Sequence, residues 1–368
     1  MASRRRNLSK GSPKDSSTPP HDDQLDAEDM TGVGLFLLAR RESGAVISEP
    51  EDLFPAYSME DVYGIHSALT ATSSTLGHHV GWKCGACSPA AQAAFNISEP
   101  FRAPLFKDRI FTEQRTAVDT AKVNLTILEA EFGFVLSKSL PPRGGKKYTA
   151  AEVMAAVSVI LPAVEVCASR WSGEALAQST PFHRLADGGG NESCVVGDAT
   201  EASDGLMESL DSVGVRFLIN GEPAVEGSGA NVLDHPANSL AWLANTLIDG
   251  NVSTESSKYG GGALIGLQEG DFVMSGAAAV LPAADVSVGD VVVAEFEGFG
   301  SVELLITETA ATGGLGGGGA RAAQMGNDEW RELCVEARAG GAKVAMIFPW
   351  NPAREASVRE MLGQAPKL

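Results

Sequence analysis

The sequence predicts an α+β fold, and three kinds of observation predict it. Bounded apolar runs of strand length occur at Leu125–Leu136 (LTILEAEFGFVL) and at 159–169 (VILPAVEVCAS), the pattern of strands buried on both faces. Helix-start signals stand apart from them: Ser58 with Asp61, Ser88 followed by Pro89, and Thr149 with Glu152. Asn220-Gly221, inside VGVRFLINGEPAVEG, is a strong hairpin signal.

In chain order, residues 1–28 run from basic residues through Ser and Pro to acids. They hold little to bury and predict a disordered tail. An organelle transit segment stays open there, whereas a secretory signal is not expected without an apolar run after the charges. MTGVGLFLLARRES (30–43) predicts a helix with Arg40 and Arg41 at its C-terminal end. A second helix is expected from Ser58 or Met59 to about Ala71. HHVGWKCGA (78–86) predicts a strand and SPAAQAAF (88–95) a short helix. RAPLFKDRIF (102–111) reads as a loop leading into extended chain.

Beyond the 125–136 strand, SLPPRGGKKY predicts a surface loop. Thr149 to about Val157 predicts a helix, and ADGGGNES (186–193) an irregular turn. DHPANSLAWLANTL (234–247) predicts a helix capped by Asp234, and strands follow at 271–274 and 288–306. GGLGGGGARAAQ (313–324) is a linker by composition. A helix, a short strand and a second helix are expected after it. The resulting organisation is a tail (1–28), a main domain (29–307), a Gly-rich linker (308–326) and a C-terminal α/β extension (327–368).

A chain of 368 residues with 44% hydrophobic content supports a sizeable core. Its net charge of −19 argues against nucleic acid or an anionic membrane surface as partner. No apolar run approaches the ~20 residues of a membrane helix. Five cysteines, an odd number in a long chain, predict a reducing compartment and a cytoplasmic protein.

The chemistry concentrates in the 125–136 run. Glu129 and Glu131 lie two apart on a strand, so both leave one face, about 6.6 Å apart at Cα. An edge strand with its polar face in water is one reading, and a divalent-metal site is the other. Glu165, the one acid of the second apolar run, favours the metal, because each unpaired buried charge would cost several kcal/mol. Three carboxylates with positions left for water suit Mg²⁺ or Mn²⁺.

Lys83, in another apolar strand, reads on its own as a snorkelling lysine, and Asp108 as a loop acid. Beside a metal they become a candidate proton-transfer pair. Cys84 and Cys87 form a C-x-x-C without a second ligand pair, which predicts two small buried cysteines. His78, His79, His183 and His235 lack ligand spacing.

GWKCGACSPAAQAAFNISEPFRAPLFKD, LEAEFGFVL, ILPAVEV, GSGANVLDHPANSLAWLANTL and LQEGDFVMSGA occur here in an order that resembles the 2-keto-4-pentenoate hydratase / 4-oxalocrotonate decarboxylase family, within the fumarylacetoacetate hydrolase superfamily. The resemblance covers about residues 30–307. It implies a fumarylacetoacetate-hydrolase-like mixed β-sandwich roll with flanking helices, a bound divalent metal and a homo-oligomer. Carried over residue by residue, it implies Glu129, Glu131 and Glu165 as metal ligands and Lys83 and Asp108 as the acid–base pair. Ser88, Gln92, Ser275 and Gly276 are then expected to bind substrate. Ala186 to Gly190 departs from the family's A-D-N-A-S, with Asn191 and Ser193 as candidates to stand in. Cys84 and Cys87 replace the more common Ile and Thr.

The function so implied is a metal-dependent lyase acting on a small 2-oxo acid, a hydratase of a 2-hydroxydienoate in the first instance. A hydratase is preferred to a decarboxylase because no extra basic residue for a second carboxylate is evident. An acylpyruvate C–C hydrolase would need a general base, commonly His, that the sequence does not place. A non-catalytic binding protein is the alternative from another class.

Overall fold

The computed structural model describes residue 25 and residues 27–308, with breaks between 51 and 57, at 73–76, at 113–114 and at 249–265. The Gly-rich linker and the C-terminal extension expected from the sequence lie outside the described residues. Helix α1 (Ala27–Ser43) packs on α2 (Met59–Thr72). Leu25 is buried ahead of α1, and its N–H donates to Asp61 Oδ1 at 3.2 Å. The folded chain therefore begins inside the stretch read as a tail.

Strand β1 (His79–Gly85) and α3 (Pro89–Phe95) follow as expected, and Ser88 caps α3 by accepting from the Ala91 N–H. The segment read as a loop is instead the buried strand β2 (Phe101–Phe106), then a turn at Lys107–Arg109 and β3 (Ile110–Phe111). Arg102 and Pro104 hid that strand from pattern reading. The Arg102 guanidinium is buried by stacking on Tyr63 and Trp82, 4.2 and 5.0 Å from the ring centroids.

Strands β4 (Arg115–Asp119) and β5 (Leu125–Leu136) come next, then α4 (Ala150–Met154) and β6 (Val157–Ala168). Thr149 and Glu152 form the expected capping box, but α4 stops at Met154 because Val157 already belongs to β6. Short helices α5 (Gly173–Gln178) and α6 (Pro181–Ala186) precede β7 (Asn191–Val196), β8 (Thr200–Glu201) and α7 (Asp204–Glu208). β9 (Gly214–Ile219) and β10 (Glu222–Ser228) flank the Asn220-Gly221 turn, both at positive φ. Helix α8 (Pro236–Ile248) is capped by His235, whose Nδ1 accepts from the Ala237 N–H, and not by Asp234. β11 (Phe272–Pro282), β12 (Val291–Phe296) and β13 (Gly300–Thr307) complete the fold.

The strands form two mixed sheets. The larger runs β2-β1-β11-β5-β6-β7-β3, with β8 beside β6, and the smaller runs β10-β9-β12-β13-β4. β1 with β11, β7 with β3, and β13 with β4 are the parallel pairs. Alternation along β5 and β6 decides what each face does. Leu128, Ala130, Phe132, Phe134, Val164 and Val166 enter the core between the sheets, where Phe132 meets Phe296 and Phe299 edge-on. The intervening residues, Glu129, Glu131, Ala163, Glu165 and Cys167, leave by the opposite face. This is the expected mixed β-sandwich roll with flanking helices.

Candidate metal centre

The three acids meet because β5 and β6 pair in one register: Glu129 lies opposite Glu165, and Glu131 opposite Ala163. Glu131 and Glu165 are fully buried and Glu129 is part-exposed. Lys83 reaches the same place from β1, across β11, and its buried Nζ lies 2.8 and 3.0 Å from Glu165 Oε1 and Oε2. Asn191 Nδ2, at the start of β7, also donates to Glu165 Oε1 at 2.8 Å.

Glu131 is held differently. Its Oε2 accepts the Gly276 N–H at 2.7 Å, while its Oε1 is buried without a hydrogen-bond partner. That N–H is aimed by a bulge in β11, where the register against β5 shifts between Met274 and Ala277. Ser275 makes the bulge: its Oγ accepts the Phe132 N–H at 3.1 Å and donates to Gly276 O at 3.0 Å. Gly276 sits at φ 97°, and a Cβ there would lie 2.6 Å from Cys87 Sγ. Ser275 Oγ is thus engaged with backbone on both sides of the bulge.

The electrostatics are those of a crowded anionic site. Burial, then the charge of Glu165, raises Glu129 from 4.5 to about 7. Burial raises Glu131 well above the carboxylate range, with Glu165 and Glu129 adding to it. Burial by itself would lower Lys83, but Glu165, with help from Cys167, Glu129 and Glu131, outweighs it and holds the ammonium above its ordinary value. One ammonium stands against three crowded carboxyls, so the ionised forms of the acids oppose one another. The partnerless Glu131 Oε1 and the raised carboxyls fit a divalent cation, which would displace their protons.

Other expected residues fall at different distances. Gln92 Nε2 donates to Ala86 O at 3.1 Å, and Ser88 serves as a helix cap. Both lie on the turn and helix that follow β1, next to Cys87 beneath Gly276. Asp108 is not brought to Lys83. Lys83 pairs with Ala103, whereas Asp108 is exposed on the turn beyond the far end of β2, its carboxyl against Gly77. The separation along β2 is on the order of 10 Å. What faces Lys83 from β2 is the Phe101 ring, its centroid 5.3 Å from Nζ.

Two residues were missed or half-seen in the sequence. Cys167 follows Glu165 by two on β6, and its Sγ lies within 4.8 Å of oxygens of both Glu129 and Glu165; the i, i+2 spacing was its visible signal. Asn191 does stand at the site, as one of the two candidates. A buried ionic network sets its backbone: Arg170 donates to Asn191 O at 3.2 Å and pairs with Glu192 at 2.7 Å. Arg41 of α1 donates to Asp187 O and Oδ1 at 3.1 and 3.2 Å, so the N-terminal helix is tied to the turn that carries Asn191.

The fumarylacetoacetate (FAA) hydrolase C-terminal family model matches residues 85–307. The 2-keto-4-pentenoate hydratase of Paraburkholderia xenovorans is 32% identical over 265 residues, 71% of this chain and 88% of that protein. The 4-oxalocrotonate decarboxylase of Pseudomonas sp. (strain CF600) is 28% identical over 256 residues, 68% of this chain and 86% of that one. Among solved structures, 4-oxalocrotonate decarboxylase from Pseudomonas putida G7, complexed with magnesium and adipate, superposes with a TM-score of 0.64 at 26% identity, over 77% of this chain and 99% of that chain. With more than half of its length matched by the family model, the chain belongs to the fumarylacetoacetate hydrolase family.

Proposed function

We propose that this chain is a divalent-metal-dependent lyase that adds water to a small 2-hydroxydienoate, in its 2-oxo form, through a dienolate. The observation that carries the reading is the pairing of buried Glu131 and Glu165 with part-exposed Glu129 on one sheet face, with Lys83 bonded to Glu165. The relatives named as hydratases support the substrate class. Bound by those three glutamates, a cation such as Mg²⁺ or Mn²⁺ would supply Lewis-acid polarisation of a 2-oxo group.

The chain's own residues supply the rest. Lys83, held as an ammonium by Glu165, is a fixed positive charge for a developing enolate oxygen. Asn191 and Lys83 together fix the Glu165 carboxylate. The Gly276 N–H fixes one oxygen of Glu131 and leaves the other for the site. His66 and His183 bond to Leu185 O and Phe54 O, so neither is offered as the base an acylpyruvate hydrolase would need.

Decarboxylation of a 4-oxalocrotonate-type acid is the second reading, favoured by the likeness to a decarboxylase structure. Homo-oligomeric assembly and a cytoplasmic location belong to the same proposal. The test is incubation with Mg²⁺ and either 2-hydroxypenta-2,4-dienoate or 4-oxalocrotonate, following loss of the conjugated chromophore and release of CO₂. Chromophore loss from the first without CO₂ supports the hydratase, and CO₂ from the second the decarboxylase. No turnover of either compound overturns both.

A further inference from the structure

We infer that Arg41 is a positioning residue of the site. From the last turn of α1 it holds Asp187, and through Asp187 the Gly188–Gly190 turn that seats Asn191 on Glu165 and packs against the Phe101 ring beside Lys83. The inference rests on the reading that the three glutamates hold a divalent cation, and makes the N-terminal helix a part of that site's geometry.

The turn does not hold itself. Gly188, Gly189 and Gly190 stand at φ 74°, 71° and 90°, and a run of three glycines has many other conformations open to it. Its shape is set from its two ends. At the first, a single Arg41 nitrogen, Nη2, donates to Asp187 O and Oδ1 at 3.1 and 3.2 Å. At the second, Arg170 Nη2 donates to Asn191 O at 3.2 Å and pairs with Glu192 Oε2 at 2.7 Å, while its Nε lies 3.5 Å from Asp187 Oδ1. Arg170 thus bridges the two ends, and Arg41 fixes the carboxylate at the first. All three side chains are buried, where polar contacts are stronger than in water and costlier to lose.

What the turn carries touches the Lys83–Glu165 pair from both sides. On the Glu165 side, Asn191 Nδ2 donates to Oε1 at 2.8 Å. On the Lys83 side, a Cβ on Gly189 would fall 2.3 Å from the Phe101 ring, whose centroid is 5.3 Å from Nζ. A slackened turn would therefore release the Asn191 amide and the Phe101 ring together. Glu165 would then be held by Lys83 alone, and its oxygens would be aimed less well at a cation. Asp187 Oδ2 has no hydrogen-bond partner among the described residues, so without Arg41 the carboxylate keeps only its 3.5 Å contact with Arg170. In the sequence Arg41 is a charge suited to a helix end; its burial against a residue 146 positions on gives it this separate part.

The test is Mg²⁺ calorimetry and steady-state kinetics on the full chain, with Arg41→Met, Asn191→Ala and the double variant forming a cycle. Asn191→Ala should weaken Mg²⁺ binding about tenfold, and Arg41→Met by about three- to tenfold. In the Asn191→Ala background Arg41→Met should add less than about 1.5-fold, because its effect on the metal passes through the amide. In turnover kcat should fall while KM stays within about twofold. Arg41→Lys keeps the charge and should restore most of the affinity; set beside Arg41→Gln, it repeats the comparison if methionine prevents folding. Leu38→Ala trims the buried core of the same helix away from Asp187, and should leave Mg²⁺ affinity within about twofold. Equal losses in Leu38→Ala and Arg41→Met, or effects of Arg41→Met and Asn191→Ala that simply add, overturn the inference and leave the carboxylate site standing. The expected coupling in Mg²⁺ affinity without turnover of either acid upholds it while the lyase reading falls. A wild type that binds no divalent cation removes the metal reading and this inference with it.

Discussion

Lys83 Nζ places itself between the two oxygens of Glu165, 2.8 and 3.0 Å away, with both side chains removed from water. This is the positive charge that lets three carboxyls, two of them buried, share one face of a sheet. Removing one partner of such a pair leaves an uncompensated buried charge, at a cost of about 3–5 kcal/mol. Lys83→Met should therefore lower the stability of the metal-free protein by about that amount, recovered in part by saturating divalent cation. Turnover should fall by about 100-fold or more even when metal is bound, because the fixed positive charge facing the enolate oxygen is gone. Urea unfolding with and without metal, beside steady-state kinetics, checks both. Turnover kept within about tenfold would reduce Lys83 to a structural counter-ion.

The raised carboxyls make a pH prediction with a definite sign. Glu129 goes from 4.5 to about 7 on folding, so over that range the folded chain holds more protons than the unfolded one. Its contribution to metal-free stability is fully present below about pH 4.5 and is lost as pH rises through about 7. The size is on the order of 3 kcal/mol. Glu129→Gln fixes the neutral form and should abolish that loss, so the difference between variant and wild type isolates it. With saturating metal the trend reverses, since binding displaces those protons and strengthens with pH. A wild-type stability, in chelator, that tracks the glutamine variant across this range would show that the acids do not crowd one another.

Ser275 and the bulge it makes give a prediction that separates two roles. If its hydroxyl serves the Phe132 N–H and the Gly276 carbonyl, Ser275→Ala leaves a buried N–H unpaired and costs about 1–3 kcal/mol. KM should change little as long as Gly276 still reaches Glu131. Gly276→Ala should be worse, with a backbone at φ 97° and Cys87 Sγ in the way. The measurements are thermal or urea unfolding and KM. A raised KM at unchanged stability would return Ser275 to the substrate contact its motif implied.

Legibility from sequence followed burial patterns. Glu129, Glu131 and Glu165 could be read because each interrupts an apolar strand, and Asn220-Gly221 because a type of turn demands those residues. β2 could not, since Arg102 and Pro104 break the strand pattern, and only the Tyr63 and Trp82 rings explain a buried guanidinium there. Cys167 was passed over because a cysteine in an apolar run counts as a small hydrophobe. The Ser275 bulge and the Arg170–Glu192 pair that seats Asn191 are long-range facts, set by strand register, and no local window contains them.

Asp108 shows the limit of carrying a role across by motif. The residue fits an L-F-x-D pattern, yet β2 delivers it to the far end of β1, exposed and against Gly77, while Ala103 and the Phe101 ring occupy the strand beside Lys83. A proton-transfer partner must come within about 2.6–3.2 Å of the proton it moves, directly or through one water. Asp108→Asn should accordingly leave kcat and KM within about twofold of wild type, and leave Mg²⁺ affinity unchanged. The measurement is steady-state kinetics on the turned-over acid across pH 6–9. A fall of about 100-fold in kcat with KM intact would mean that Asp108 reaches the reacting atoms after all, through a closure of the turn after β2. In that case the acid limb of the pH profile should move in the variant, whereas for a purely exposed carboxylate the two profiles superimpose.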